Sequence, residues 1–243
     1  LNGDLWESDV MVTTSRGLGN TQSMAEWTVA AFFYFARGFN QAVADRTAAD
    51  FERLAYNPIQ MKDKTVCVIG AGGIGQDVGK LCAAMDMRVI GTRRTAGSPP
   101  EGFDAIYTAD KLMDILPEAD FVSICCQWTP DTEGLIGEKT LRAMKDGVVL
   151  CNLARGEIVD EAALKDALKA GKLRGVGLDV YVGEFDRLPD PELWADDRVL
   201  FTPHISAATD IRSTRQIDLF CDNLEAYVAG RPLDNVLDWK RAY

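Results

Sequence analysis

Positive charge is scarce in this 243-residue chain, where 26 Lys and Arg stand against 37 Asp and Glu and leave a net charge of −11. That balance argues against a nucleic-acid partner, whose phosphates would be repelled, and against docking on an anionic membrane surface. Long apolar runs are missing as well. The most apolar stretch, Trp27–Ala36, is too short to cross a bilayer and is bounded by Glu26 and Arg37. The opening L-N-G-D-L-W-E-S-D has neither a basic start nor an apolar centre, so no signal peptide is read there and a cytoplasmic protein is expected. The six cysteines, Cys67, Cys82, Cys125, Cys126, Cys151 and Cys221, form no paired framework and no C-x-x-C cluster. They read as reduced core residues, and no metal site is expected. Histidine is scarcest of all. His204 is the only one, so a reaction that needs a donor titrating near neutrality at its unperturbed pKa has one candidate. The partners that remain are small molecules and a second copy of the chain.

What is present begins with T-V-C-V-I-G-A-G-G-I-G at Thr65–Gly75, an apolar strand running straight into glycines at 70, 72 and 75. Gly70 can take the sharp turn, Gly72 lets the main chain approach a pyrophosphate, and Gly75 permits close packing of helix on strand. The following helix, Gln76 to about Met85, aims its free N–H groups and positive dipole end at the same place. A tight turn without ligand is the alternative. Strand, glycines, helix and a second strand at Arg88–Ile90 occur in the order a dinucleotide site requires. Further strands are expected at Ala105–Tyr107, Phe121–Cys125, Val148–Asn152, Gly175–Leu178 and Val199–Thr202, with helices at Lys111–Leu116, Glu138–Met144 and Glu161–Ala170. Asp160 is the expected N-cap of the last and Gly171 its stop. This alternation predicts an α/β fold, a doubly wound parallel sheet with helices on both faces.

Two segments fall outside the alternation. A helix is expected from Gln22 to about Asn40, continuing past Asp45, with apolar residues nearly all round it, including Trp27, Phe32, Phe33 and Phe35. It is either a core helix or one shared with a second subunit. Near the other end, Ala207–Ala229 reads as a helix closed by Gly230, followed by Pro232 and an extended tail.

His204 follows a strand in F-T-P-H-I-S-A-A-T, and Arg155 follows another in C-N-L-A-R-G-E-I-V-D. Ligand sites in open α/β sheets lie at such carboxyl ends. An arginine there can grip a carboxylate with two parallel hydrogen bonds, although a surface salt bridge is the plainer reading, as a solvated loop is for Glu184. The ordered set C-V-I-G-A-G-G-I-G, N-L-A-R-G-E-I-V-D, G-L-D-V with Glu184 after it, and T-P-H-I-S-A-A-T resembles the D-isomer-specific 2-hydroxyacid dehydrogenases. So do M-A-E-W at Met24–Trp27, T-P-D-T-E-G-L-I-G at Thr129–Gly137 and G-R-P-L-D-N-V-L-D at Gly230–Asp238.

The resemblance implies a Rossmann-type domain over residues 1–206 and, in 207–243, part of a smaller flavodoxin-like substrate domain whose preceding segment would lie before Leu1. It implies His204 as acid/base, Glu184 as its orienting partner and Arg155 as the group that binds the substrate carboxylate and polarises its carbonyl. Cofactor contacts are implied at Gly70, Gly72, Gly73, Ile74, Gly75, Thr92, Arg93, Arg94, Cys126, Gln127, Thr132, Leu153, Ala154, Asp179 and His204. Asp179 would meet the nicotinamide end, its alternative being a carboxylate that caps a loop. Gln127 and Trp128 depart from the family's usual proline and aliphatic residue. After the second strand the chain reads V-I-G-T-R-R-T without the acid that binds ribose hydroxyls in NAD-preferring relatives. Arg93 and Arg94 supply positive charge where a 2′-phosphate would lie, so NADP(H) is favoured, with NAD(H) as the alternative. The implied activity is hydride transfer between that cofactor and a small 2-oxo or D-2-hydroxy acid such as glyoxylate or hydroxypyruvate, in a homodimer. The competing function is that of an NAD(H)-sensing corepressor-like protein with the same fold.

Overall fold

The computed structural model describes residues 8–15, 20–48, 51–95, 97–210 and 214–237. Two compact units emerge, one of Gln22–Ala208 and a smaller one formed by the chain on either side of it. The smaller unit thus takes in the chain before Gln22 as well as the C-terminal stretch.

The large unit is built on seven strands: β1 Thr65–Ile69, β2 Arg88–Arg93, β3 Ala105–Thr108, β4 Phe121–Ile124, β5 Val148–Asn152, β6 Leu173–Leu178 and β7 Val199–Phe201. Their order is β3-β2-β1-β4-β5-β6-β7, and every pairing is parallel. The doubly wound sheet expected from the sequence is therefore present. Strands β1, β4 and β5 are buried at every position, which is why they read as unbroken apolar runs.

The large unit's helices are α1 Thr21–Ala36, α2 Phe39–Ala48, α3 Gly73–Ala83, α4 Leu112–Ile115, α5 Glu138–Ala143, α6 Glu161–Lys169 and α7 Pro191–Trp194, and α8 Thr214–Val228 belongs to the smaller unit. Alternate strand residues sort into two cores. On one face Val66, Val68, Val89, Phe121 and Val149 pack with Phe32 and Phe35 of α1 and Val78 of α3. On the other, Ile69, Val122, Ile124, Leu150 and Val176 pack with Leu112, Leu141, Leu164 and Leu168.

Several expectations change in detail. The long N-terminal helix is two helices, because Gly38 turns left-handed at φ +73° and its N–H bonds the Phe35 carbonyl at 3.3 Å. Phe32 and Phe35 belong to this unit's own core. Phe32 lies 5.0 Å from the Phe121 ring, and a Cβ on Gly175 would stand 2.1 Å from the Phe35 ring. Helix α3 begins at Gly73 rather than Gln76, so the glycines form its first turn. The expected helix at Lys111–Leu116 is a four-residue α-turn flanked by 3-10 turns, and Pro117 within the second limits its length. Asp160 caps α6 as expected, accepting from the N–H groups of Ala162 and Ala163, and Gly171 follows at φ +69°.

Helix α8 starts at Thr214, later than the expected Ala207, since residues 208–210 are not helical and 211–213 lie outside the described residues. Within the small unit, Thr13 pairs with Val236 as an antiparallel bridge, and the Asn223 side chain bonds both backbone groups of Asp234. All six cysteines are free. Cys221 is exposed on α8 and so departs from the core reading, whereas burial pushes the thiols of Cys67 and Cys82 up to about 12 and keeps them neutral.

Candidate active site

The strands are parallel, so their carboxyl ends share one edge of the sheet. The order reverses between β1 and β4, which opens a crevice beside the glycine loop. Gly70 follows β1 at φ +99°, and a Cβ there would meet the Cys126 backbone nitrogen at 2.6 Å. The loop therefore presses on the end of β4. A Cβ on Gly75 would stand 2.2 Å from the Gly70 carbonyl oxygen, which locks α3 onto β1. Gly72 differs, since a Cβ there would meet nothing within 4 Å. Gly72 is exposed, and it precedes the first-turn N–H groups of Gly73, Ile74 and Gly75, so this open ground suits a pyrophosphate.

Thr92 is buried in β2, and its carbonyl accepts from Gly70 N and Ala71 N at 3.0 and 2.8 Å. Arg93 ends β2 and donates to the Ser98 carbonyl at 3.1 Å, its Nε buried without a partner, while Arg94 is exposed. On the crevice's other wall stand Cys125, Cys126 and Gln127. Burial pushes the Cys125 thiol up to about 12 and the Cys126 thiol up to about 11, so neither is a nucleophile near neutrality. Thr132 closes the turn beyond them, its hydroxyl bonding the Gln127 carbonyl at 2.7 Å.

The chemistry-bearing residues follow β5, β6 and β7. Asn152, fully buried at the end of β5, accepts from Ala154 N at 3.0 Å and donates to the Arg155 carbonyl at 2.8 Å. That turn, which buries Leu153, leaves Arg155 exposed with its guanidinium on the Ala154 carbonyl at 2.6 Å. A Cβ on the next residue, Gly156, would collide with the Tyr181 backbone at 2.2 Å, so the loop after β5 lies directly against the loop after β6. The latter turns at Gly183 and carries Glu184, whose side chain is 10% exposed.

Glu184 Oε1 lies 3.0 Å from His204 Nδ1, and its Oε2 is buried without a partner. His204 follows β7 in a left-handed conformation, φ +55°, at a cost of about 1–2 kcal/mol that neighbouring contacts must offset. Its side chain is 37% exposed, and the Phe185 ring stands 6.1 Å from the imidazole. Asp179, at the end of β6, is fully buried and accepts from Ile205 N and Ser206 N, each at 2.8 Å, and from the Thr202 hydroxyl.

A carboxylate paired with an imidazole, an arginine and a glycine-rich turn thus share the carboxyl edge of one parallel sheet. Residues 29–206 match the family model of the D-isomer-specific 2-hydroxyacid dehydrogenase NAD-binding domain. The chain belongs to this family. Among its relatives, the D-3-phosphoglycerate dehydrogenase of Archaeoglobus fulgidus is 35% identical over 95% of the chain and 45% of its own length. The hydroxypyruvate reductase of Blautia hydrogenotrophica is 34% identical over 74% of the chain and 55% of its own length. The chain spans about half the length of these curated relatives. A family member from Xanthobacter autotrophicus, solved with NADPH and MES, superposes with a TM-score of 0.87 at 28% identity, covering all of this chain and 97% of that one.

The structure brings Glu184 and His204 together and gathers the glycine loop, Thr92, Cys126 and Gln127 around one crevice. Thr132 fastens a turn, and Asp179 holds the loop of His204. Asn152, Thr202 and Gly156 were not singled out from the sequence. Asn152 carried a signal, being an Asx residue where a strand enters a turn. Among the described residues no helix is long and apolar enough to cross a membrane, and no group of three His, Cys, Asp or Glu could hold a metal ion.

Proposed function

We propose that this chain is the cofactor-binding and proton-transferring part of an oxidoreductase acting between NADP(H) and a small 2-oxo or D-2-hydroxy acid of the glyoxylate and hydroxypyruvate type. The observation that carries this reading is the 3.0 Å pairing of Glu184 with His204 on the sheet edge that also holds the glycine loop and Arg155. The cofactor fits what is present, because the open ground at Gly72 is a cradle that a side chain would fill. Gly70 to Gly75 would hold the pyrophosphate, Arg93 and Arg94 the 2′-phosphate, and the segments after β4 and β5 the remainder. When bound, its nicotinamide supplies or takes up the hydride.

The chain's own residues do the rest. Arg155 anchors the substrate carboxylate with two charge-assisted bonds and draws electron density from the adjacent carbonyl. His204, fixed through Nδ1, has Nε2 for giving a proton to the carbonyl oxygen, and in the reverse direction it takes that proton from the hydroxyl. Glu184 holds the ring in one orientation and compensates the imidazolium charge. Oxidation of NADPH by the full-length protein in the presence of glyoxylate or hydroxypyruvate tests the reading. No turnover across a panel of 2-oxo acids would replace it with nucleotide sensing.

The preference for NADP(H) rests on Arg93, whose Ser98 contact fixes its guanidinium beside the end of β2. Arg93→Asp is expected to reverse the ratio of kcat/KM for NADPH over NADH, with a loss on the NADPH side of roughly 10- to 100-fold. A preference for NADH in the unmodified protein would overturn the assignment.

For the homodimer, Phe32 and Phe35 are already used in the core. Phe39 and Val43 of α2 are about half exposed, and the exposed Phe51 meets the Tyr56 ring at a tilt of 60°, the Tyr56 hydroxyl donating to Asp45 of α2. These apolar groups are the proposed contact. Light scattering at micromolar concentration is expected to give twice the chain mass, and Phe39→Asp with Val43→Asp is expected to halve it; a monomeric mass in the unmodified protein would refute the contact.

A further inference from the structure

We infer that Asp179 is the positioning residue of the acid/base, and that it works through a hydrogen-bond relay reaching from Trp27 on α1 to the loop of His204. This inference rests on the proposed role of His204. Three groups on one short stretch of chain converge on the Asp179 carboxylate: Oδ1 accepts from the Thr202 hydroxyl and from Ile205 N, and Oδ2 accepts from Ser206 N. The Asp179 main chain joins in, its carbonyl accepting from His204 N at 2.9 Å and its N–H bonding the Asn152 carbonyl at 3.0 Å. His204 is therefore clasped on both sides. Its own amide is held by the Asp179 backbone, and the two amides after it are held by the Asp179 side chain.

This clasp explains the conformation of His204. A residue at φ +55° is held there only when its neighbours fix the turn, and the neighbours doing so are the acceptors of Asp179. Turning the backbone here is what brings Nδ1 to within 3.0 Å of Glu184 Oε1. Without the clasp the loop relaxes toward ordinary dihedrals and the imidazole leaves its partner. The Thr202 hydroxyl extends the arrangement, because it donates to Asp179 while accepting from the Trp27 indole N–H at 3.1 Å. A hydroxyl has the one donor and spare lone pairs this requires, and valine has neither. The relay thus ties a rigid core helix to the acid/base loop.

The positioning role is separate from any contact Asp179 makes with the cofactor, because it rests on bonds within the protein. Three donors meet the Asp179 carboxylate inside the protein, two on Oδ1 and one on Oδ2, and the residue is fully buried. Replacement by asparagine would set an amide N–H₂ against at least one of the converging donors, so an isosteric change still breaks the clasp.

The sole histidine makes the test independent of turnover. The imidazole Cε1–H cross-peak of His204 is recorded at fixed pH in the unmodified protein and in Thr202→Val, Thr202→Ser, Trp27→Phe, Asp179→Asn and Glu184→Gln, each first confirmed as folded by circular dichroism. Glu184→Gln displaces the peak. Thr202→Val and Asp179→Asn are expected to displace it in the same direction, Trp27→Phe by less, while Thr202→Ser restores the unmodified position. A folded Thr202→Val whose peak does not move overturns the relay, whether or not the protein turns over any 2-oxo acid. In the active full-length enzyme, Asp179→Asn is expected to lower kcat about 100-fold with an unchanged NADPH dissociation constant. A weakened NADPH affinity with kcat intact would instead make Asp179 a cofactor contact and refute its positioning role.

Discussion

Replacing His204 with asparagine is expected to lower kcat for 2-oxo acid reduction by about 10²- to 10⁴-fold, the usual range for a lost general acid. Asparagine suits this experiment because it tolerates the left-handed backbone at φ +55° better than most residues, so a loss of activity is not confounded by a refolded loop. His204 follows β7, with β4, β5 and β6 between it and the glycine loop after β1, so NADPH affinity is expected to fall far less than kcat. Stopped-flow or steady-state NADPH oxidation measures the first quantity and fluorescence titration the second. A kcat within tenfold of the unmodified value would remove His204 from proton transfer.

The second large effect is structural. In Gly75→Ala the new methyl would stand 2.2 Å from the Gly70 carbonyl oxygen and 3.0 Å from Val68 Cγ1. The first of these is backbone, which no side-chain rotation can relieve, so α3 must move off β1. Overpacking of this kind costs about 1–3 kcal/mol, and each kcal/mol lowers Tm by about 2–4 °C at this size. Nucleotide affinity is lost together with stability. Gly72→Ala separates the two, since its Cβ meets nothing and its φ of −86° suits any residue. Its Tm is expected to hold while NADPH binding weakens, because the methyl occupies the ground a phosphate would take. Equal melting of Gly75→Ala and the unmodified protein, by calorimetry, would show that the helix is not locked in this way.

The sheet was legible in the sequence because its central strands are buried on both faces. Val148–Asn152, for example, is apolar until the residue that turns the chain, so period and boundary are both visible. Glycines blurred the helices. Gly73–Gly75 read as loop but wind into the first turn of α3, and Gly38, unremarkable in an aromatic-rich run, ends α1. Arg155, Glu184 and His204 stood out because each sits in a short motif after a strand.

Their support did not stand out, because it depends on groups far apart in the chain. Nothing near Phe35 announces that its ring lies over Gly175, where the missing side chain makes room. Aromatic spacing alone could not separate a ring buried in its own unit from one offered to another subunit. Asp179 is the parallel case in the site. A carboxylate after a strand looks the same whether it faces a ligand or accepts from Ile205 and Ser206, and only the path of the loop decides.

The strand order has an evolutionary consequence. The end of β2, with its two arginines, lies on one wing of the sheet, and the ends of β5, β6 and β7 lie on the other, with β1 and β4 between them. On the proposed roles, coenzyme choice and proton transfer are written in separate stretches of the gene, and mutations in one need not disturb the other. On those roles a lineage could exchange its reducing currency through the few codons after β2 while its reaction chemistry is inherited intact.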